Sequence, residues 1–161
     1  MRWNVNSTPS FEKVTALSKA LGVENTLAKL LVQRGIDSFD KAKHFFRPNL
    51  EDLHDPFLMK DMEKAVKRIE TAVSRGENIL VYGDYDVDGT TSVALLSSYL
   101  ESFYPNVATY IPDRYEEGYG ISYQGIDYAS DNEISLIIAL DCGIKAIEKV
   151  AYAAEKAIDF I

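Results

Sequence analysis

Three aspartates stand at every second position in "VYGDYDVDGTT": Asp84, Asp86 and Asp88. Like charges packed this closely repel. Carboxylates tolerate such crowding when a divalent cation sits among them, because Mg²⁺ and Mn²⁺ take hard oxygen ligands. A fourth acid, Asp141, follows the apolar run in "LIIALDCGI". Each group follows a strand-like run, and ligands of open α/β sheets gather outside the carboxyl ends of the strands. A metal cluster therefore requires Asp86, Asp88 and Asp141 to converge from neighbouring strands.

Other chemistries compete for these residues. A solvated acidic loop with Asp88 capping the next helix explains one aspartate but does not need three. "DYDVDG" opens like a calcium-binding EF-hand loop, with Gly89 at its sixth position. The twelfth position is Leu95 instead of glutamate and a strand-like run precedes the loop, which excludes that reading. "DVDGT", residues 86–90, resembles the nucleophile signature of haloacid-dehalogenase-like phosphatases. There "GDY" intervenes after the strand, and the third strand ends in Asp141 where Ser or Thr is expected; this remains the alternative. Asp141 could also cap a helix starting near Ile144.

The segment "PDRYEEGYGIS", residues 112–122, carries a second set of candidates. Gly118 and Gly120 can let backbone approach a substrate, Arg114 can hold a phosphate bidentately, and Tyr119 offers a face for a base. The bland alternative is a turn in which Arg114 pairs with Glu116 or Glu117.

The elements that must position these residues follow from periodicity. Residues 1–75 read as a helical arm. "FEKVTALSKALG" has Ser10 before it and Gly22 at its end, "ENTLAKLLVQRG" stops at Gly35, and "SFDKAKHFF" starts at Ser38 and ends before Pro48. A fourth helix, "MKDMEKAVKRIETAVSRG", stops at Gly76, with Met62, Val66, Ile69 and Val73 at helical spacing. From residue 76 the pattern alternates: strand "NILVY", helix from about Thr90 to Phe103, strand "NVATYI", short helix "SYQGIDYAS", strand "ISLIIAL", helix from about Lys145 to Lys156, and the beginning of a strand in "IDFI". This order predicts an α/β domain with a parallel sheet and flanking helices, preceded by the helical arm.

Composition narrows the class. The 161 residues carry a formal net charge of −8, and 47% are hydrophobic. That acidity opposes broad phosphate binding by this chain unless bound cations reverse the sign locally. Cys142 is the only cysteine, which excludes an internal disulfide and a cysteine-rich zinc site. No apolar run approaches about 18 residues and no signal peptide opens the chain. The expectation is a cytoplasmic protein with no membrane partner.

"VYGDYDVDGTTS" and "IIALDCGI" resemble the first two motifs of the DHH phosphoesterase superfamily. "PDRYEEGYGIS" and the arm "RGIDSFDKAKHFFRPNLEDLHDPFLMKDMEKAVKRI" resemble the RecJ family within it, which digests single-stranded DNA. The resemblance covers nearly the whole chain. It implies the amino-terminal part of a metal-dependent 5′-to-3′ single-stranded DNA exonuclease of DNA repair and recombination. Two Mn²⁺ or Mg²⁺ ions would work in the intact enzyme, with single-stranded DNA as partner. By the same resemblance Asp86 and Asp88 match the DxD ligands and Asp141 the shared carboxylate. Asp84 is a direct ligand or an orienting group. Catalysis then falls to Asp86, Asp88 and Asp141, and substrate binding to Arg114, Gly118, Tyr119 and Gly120. Arg114 is the candidate for recognising the 5′ end.

Two departures qualify the match. The superfamily often has histidine where this chain has Tyr82, so the site leans more on Asp84. The Asp-His-His motif is absent: His44 and His54 both lie in the arm, at spacing without metal logic. "AIDFI" ends inside an apolar run, which reads as a cut edge just before that motif, with residues 76–161 an incomplete DHH domain. A fragment so cut is expected to hold metal weakly or not at all and to be inactive alone. Another DHH phosphoesterase, acting on oligonucleotides, cyclic dinucleotides or pyrophosphate, and a non-catalytic binding module stay open beside this reading.

Overall fold

The structure is a computed structural model that describes residues 7–161. Residues 1–6 of the expected arm lie outside the described residues. The chain divides into two compact units, residues 1–58 and 59–161.

The first unit holds three short helices, α1 (Phe11–Leu21), α2 (Asn25–Gln33) and α3 (Phe39–Phe46), then two 3₁₀ turns, Leu50–Asp52 and Pro56–Leu58. Their stops follow the sequence. Gly22 takes a left-handed conformation after α1, and the Ser38 hydroxyl accepts the Lys41 N–H at the start of α3. Ser10 sits at the start of α1 without a side-chain cap bond. Val14, Leu17, Ala28 and Leu31 form a small core. Leu27, Leu30, Phe39, Phe45 and Phe46 stay exposed along a groove of about 770 Å³. His44 hydrogen-bonds Asp52 at 3.1 Å, a local structural role.

The second unit runs α4 (Met62–Arg75), β1 (Asn78–Gly83), α5 (Val87–Glu101), β2 (Val107–Tyr110), α6 (Tyr123–Asp131), β3 (Ile134–Leu140), α7 (Ile147–Glu155) and β4 (Asp159–Phe160). The four strands are parallel, in the order β2-β1-β3-β4. Helix α4 was expected with the arm. It lies in the sheet unit, because Ile69, Ala72 and Val73 pack beside Ile79, Val81 and Leu136.

The apolar runs of β1 and β3 show no alternation because both faces of the sheet are covered. Ile79, Val81, Leu136 and Ile138 face α4 and α5, packing with Val93 and Leu100. Leu80, Tyr82 and Ile137 face α6 and α7, packing with Ile126, Ala129 and Ala153. Burying a side chain of this size stabilises by roughly 1.5–3 kcal/mol. These two layers therefore hold the strand ends firmly in place.

Candidate active site at the carboxyl edge of the sheet

The strand order creates a switch point. β1 feeds α5, which leads outward to β2; β3 feeds α7, which leads the other way to β4. The two loops diverge and leave a crevice between the ends of β1 and β3, the place where open α/β sheets bind ligands. The strands are paired directly, with Gly83 opposite Leu140. Asp84 and Asp141 are the next residues on each. Asp86, Asp88 and Asp141 thus meet at one edge, as their spacing predicts. Asp88 and Asp141 line a cleft of about 470 Å³ with Thr91, Ser92 and Leu95.

α5 begins at Val87, three residues before the expected Thr90, and its cap is Asp86, not Asp88. One Asp86 oxygen, Oδ1, accepts the N–H groups of Asp88 at 3.1 Å and Gly89 at 3.0 Å. Those donors and the helix dipole favour the anion. The Gly89 N–H, then the Tyr119 hydroxyl, hold the Asp86 carboxyl below the usual range. Gly89 is needed where α5 crosses the end of β1: an added Cβ would lie 2.6 Å from the Asp84 nitrogen and collide with its carbonyl. Asp88, in the first turn, stays exposed to the cleft.

Asp84 is different. It is fully buried. Its Oδ1 accepts the Tyr85 N–H at 2.7 Å and its Oδ2 accepts the Gly120 N–H at 3.2 Å. Both oxygens accept from backbone, which ties the end of β1 to the 112–122 loop.

Asp141 sits in a left-handed conformation, φ 54°, directly after β3. It does not cap a helix: α7 starts at Ile147, and Ala146 precedes it without a side-chain bond. Nor is it buried. Partial desolvation, then repulsion from Asp86 and Asp88, raise its carboxyl above the usual range, and hydrogen bonding with Asp86 adds to the shift. Asp86 pushed down and Asp141 pushed up describe unlike carboxyls within one acidic cluster. This is the environment a divalent cation would relieve. The donor set is all oxygen, which fits Mn²⁺ or Mg²⁺ and not a soft metal. Among the described residues no three His, Cys, Asp or Glu side chains are already gathered in metal-holding geometry. The Asp86 oxygens instead serve α5 and Tyr119.

The 112–122 loop is folded against these acids. Glu117 is not an Arg114 partner: it accepts from the Tyr110 hydroxyl at 2.9 Å and from the Asp113 N–H at 2.7 Å. The Tyr119 hydroxyl donates to Asp86 Oδ2 at 3.0 Å, and that carboxylate lifts the phenol to about 12, so it stays a donor. Gly118 and Gly120 have φ of 84° and 81°, which a residue with a side chain rarely adopts. Tyr82 replaces the expected histidine with a structural role. Buried and pushed up to about 12 by that burial, its hydroxyl donates to the Gly120 carbonyl at 2.9 Å and accepts the Ser122 N–H at 3.1 Å. Sequence reading missed Tyr85, whose ring lies under the Arg114 guanidinium. Its position between two aspartates gave no hint of that. Cys142 is pushed up to about 12 by burial and is no nucleophile.

Comparison with known proteins agrees with this architecture. Residues 78–161 match the model described as DHH family, N-terminal domain. The chain is 40% identical over 161 residues to the single-stranded-DNA-specific exonuclease RecJ of Bacillus subtilis, covering 100% of this chain and 20% of that protein. The RecJ of Thermus thermophilus is 32% identical over 167 residues, covering 100% of this chain and 23% of its own length. The chain thus spans about a fifth of the length of these curated relatives. Among solved structures, RecJ in complex with Mn²⁺ from Thermus thermophilus matches 99% of this chain and 22% of its own, with TM-score 0.70 and 26% identity. An exonuclease RecJ bound to manganese covers 63% of this chain and 26% of its own, with TM-score 0.58 and 31% identity.

Proposed function

We propose, on the premise that this chain belongs to the DHH family, that it supplies the aspartate side of the metal centre of a 5′-to-3′ single-stranded DNA exonuclease acting in DNA repair and recombination. One observation carries the reading. Asp86, Asp88 and Asp141 stand at the ends of two directly paired strands, at the switch point of the sheet. Relatives described as single-stranded-DNA-specific exonucleases, and solved RecJ structures with Mn²⁺ or Mg²⁺, support the substrate and the ions.

In this reading Asp86, Asp88 and Asp141 hold the ions. When bound, the ions supply Lewis acidity, lowering the pKa of water and offsetting charge on the phosphodiester oxygens. A cation beside Asp141 would offset the like-charge repulsion that, after desolvation, raises its carboxyl. Asp84 holds the β1 end against Gly120, which fixes the loop relative to the ligands. Tyr119 keeps Asp86 oriented and offers an exposed ring to a base. Arg114 takes the terminal phosphate. Gly118 and Gly120 keep that face of the loop open, since neither would meet another atom even with a Cβ.

The test is digestion of 5′-labelled single-stranded DNA by the full-length protein with Mn²⁺ or with chelator, against Asp88→Ala and Asp141→Ala. Metal-dependent loss of the label in the wild type and its abolition in both variants is expected. Undiminished cleavage by Asp141→Ala overturns the assignment.

A further inference from the structure

The Arg114 guanidinium has no carboxylate to hold it. Among the described residues Glu117 is committed to Tyr110 and Asp113, and Arg114 makes no ion pair. What it does touch is Tyr85: the guanidinium carbon stands 4.5 Å from the ring centroid. Tyr119 meets the same ring edge-on, at 5.5 Å and 86°. Tyr119 in turn donates to Asp86 at 3.0 Å. The order in space is Arg114, Tyr85, Tyr119, Asp86.

Tyr85 is well fixed for such a role. Its backbone N–H is bonded to Asp84 at 2.7 Å, and the next residue caps α5. Its ring therefore rides on backbone tethered on both sides. An arginine held by an aromatic face keeps its donors free, whereas one held by a carboxylate spends them. The guanidinium over this ring thus keeps its N–H donors for an anion beside the aspartates.

We infer that Tyr85 is the positioning residue for Arg114, holding the guanidinium over its ring so that it receives a terminal phosphate at a fixed place relative to Asp86. This rests on the reading that Arg114 binds the terminal phosphate. Tyr85 then sets the preference for 5′-phosphorylated over 5′-hydroxyl ends, without touching the phosphate itself.

The test has two readouts on the full chain, neither of which needs cleavage. The first is the Arg114 Nε–H resonance. Ring current from Tyr85 shifts it upfield in the wild type; Tyr85→Phe should keep the shift and Tyr85→Leu should lose it. The second is binding of a short single-stranded oligonucleotide, 5′-phosphorylated or 5′-hydroxyl, without divalent metal. The wild type should prefer the phosphorylated form. Tyr85→Leu should lose about fivefold of that preference. Tyr85→Phe should retain it, and Tyr85→Leu should have no further effect in an Arg114→Ala background. A wild-type preference untouched by Tyr85→Leu overturns the inference alone. Equal binding of the two oligonucleotides by the wild type overturns the reading of Arg114 as well. A loss in Tyr85→Phe as large as in Tyr85→Leu also overturns the inference, since the aromatic face survives in Phe.

Discussion

The two edges of the sheet handle charge in opposite ways. At the amino edge, Arg68 of α4 donates to Glu77 at 2.7 Å and to Asp159 at 2.5 Å, and Glu77 also accepts the Ser135 hydroxyl. The Ser135 hydroxyl, then Arg68, hold the Glu77 carboxyl below the usual range. One cation bridges two anions, and the edge is closed. At the carboxyl edge Asp84, Asp86, Asp88 and Asp141 have no cationic side chain paired with them among the described residues, and Asp141 is driven above its usual range. The first arrangement serves the fold. In the second, partial desolvation and then like charges raise Asp141, and the proposed cation would offset that repulsion.

The largest effect that separates the edges is on activity. Asp141→Ala and Asp88→Ala should each lower metal-dependent cleavage by at least about 10³-fold, since positioning of reactants contributes several kcal/mol to catalysis. Mn²⁺ binding read by electron paramagnetic resonance should weaken in parallel. Glu77→Gln, at the other edge, should leave Mn²⁺ affinity unmoved. A comparable loss of affinity there would erase the distinction.

The same pair of edges reverses when stability is read. Glu77→Gln should lower unfolding free energy by about 2 kcal/mol, the range for hydrogen bonds to charged groups, measured by urea unfolding at neutral pH. The sign with pH follows from the lowered carboxyl. The folded-state value lies below the unfolded one, about 4.3. The contribution is therefore complete above the unfolded value and disappears as pH falls through the folded one. The variant and wild type should converge in acid. A difference that grows as pH falls would contradict the pairing.

Asp141→Asn should do the opposite. A carboxyl whose folded value is raised destabilises the fold above that value, where it must ionise among like charges. Removing the charge should raise the melting temperature at neutral pH without metal. The gain should shrink as pH falls and Asp141 itself takes up a proton. Asparagine also suits the left-handed φ of 54°. A gain constant with pH would assign the effect to backbone alone. The variant should gain stability and lose function, the trade expected of a site built against its own fold.

The contrast between the edges also explains how much was legible in the residues. Local patterns carried well: β3 spans "ISLIIAL" as read, and Ser38 caps as a hydroxyl before a helix should, although Ser10 does not. The acidic edge was legible because its members lie at short spacing after apolar runs. The helix start was not. Starting the helix only after Gly89 placed α5 too late, whereas the Asp86 cap lets Gly89 serve as a contact inside the first turn. The paired edge was invisible: Arg68 and Asp159 are 91 residues apart, and nothing in either segment names the other. Helix α4 went to the arm for the same reason, since its stripe does not say what it covers. Tyr82 bonding Gly120, 38 residues on, and Tyr85 under Arg114 are likewise products of the fold.

The smallest prediction sharpens the account of the paired edge. Glu77 has a second cation nearby, Arg75, whose Nη1 lies 4.0 Å from Glu77 Oε1 with its side chain 73% exposed. Arg68 is 23% exposed and lies 2.7 Å from the other oxygen. If attraction alone mattered, both arginines would contribute. The physical difference is solvent. An exposed guanidinium at the limit of contact is screened and must be ordered to interact, which leaves less than about 0.5 kcal/mol. The inner guanidinium is held by two carboxylates and has little water to lose to. Arg75→Ala should therefore change stability by less than about 0.5 kcal/mol, and that change should vanish in high salt. Arg68→Ala should cost about 2–3 kcal/mol and persist in salt, because it strands a poorly solvated Glu77. Equal effects from the two would mean the edge is closed by net charge and not by geometry.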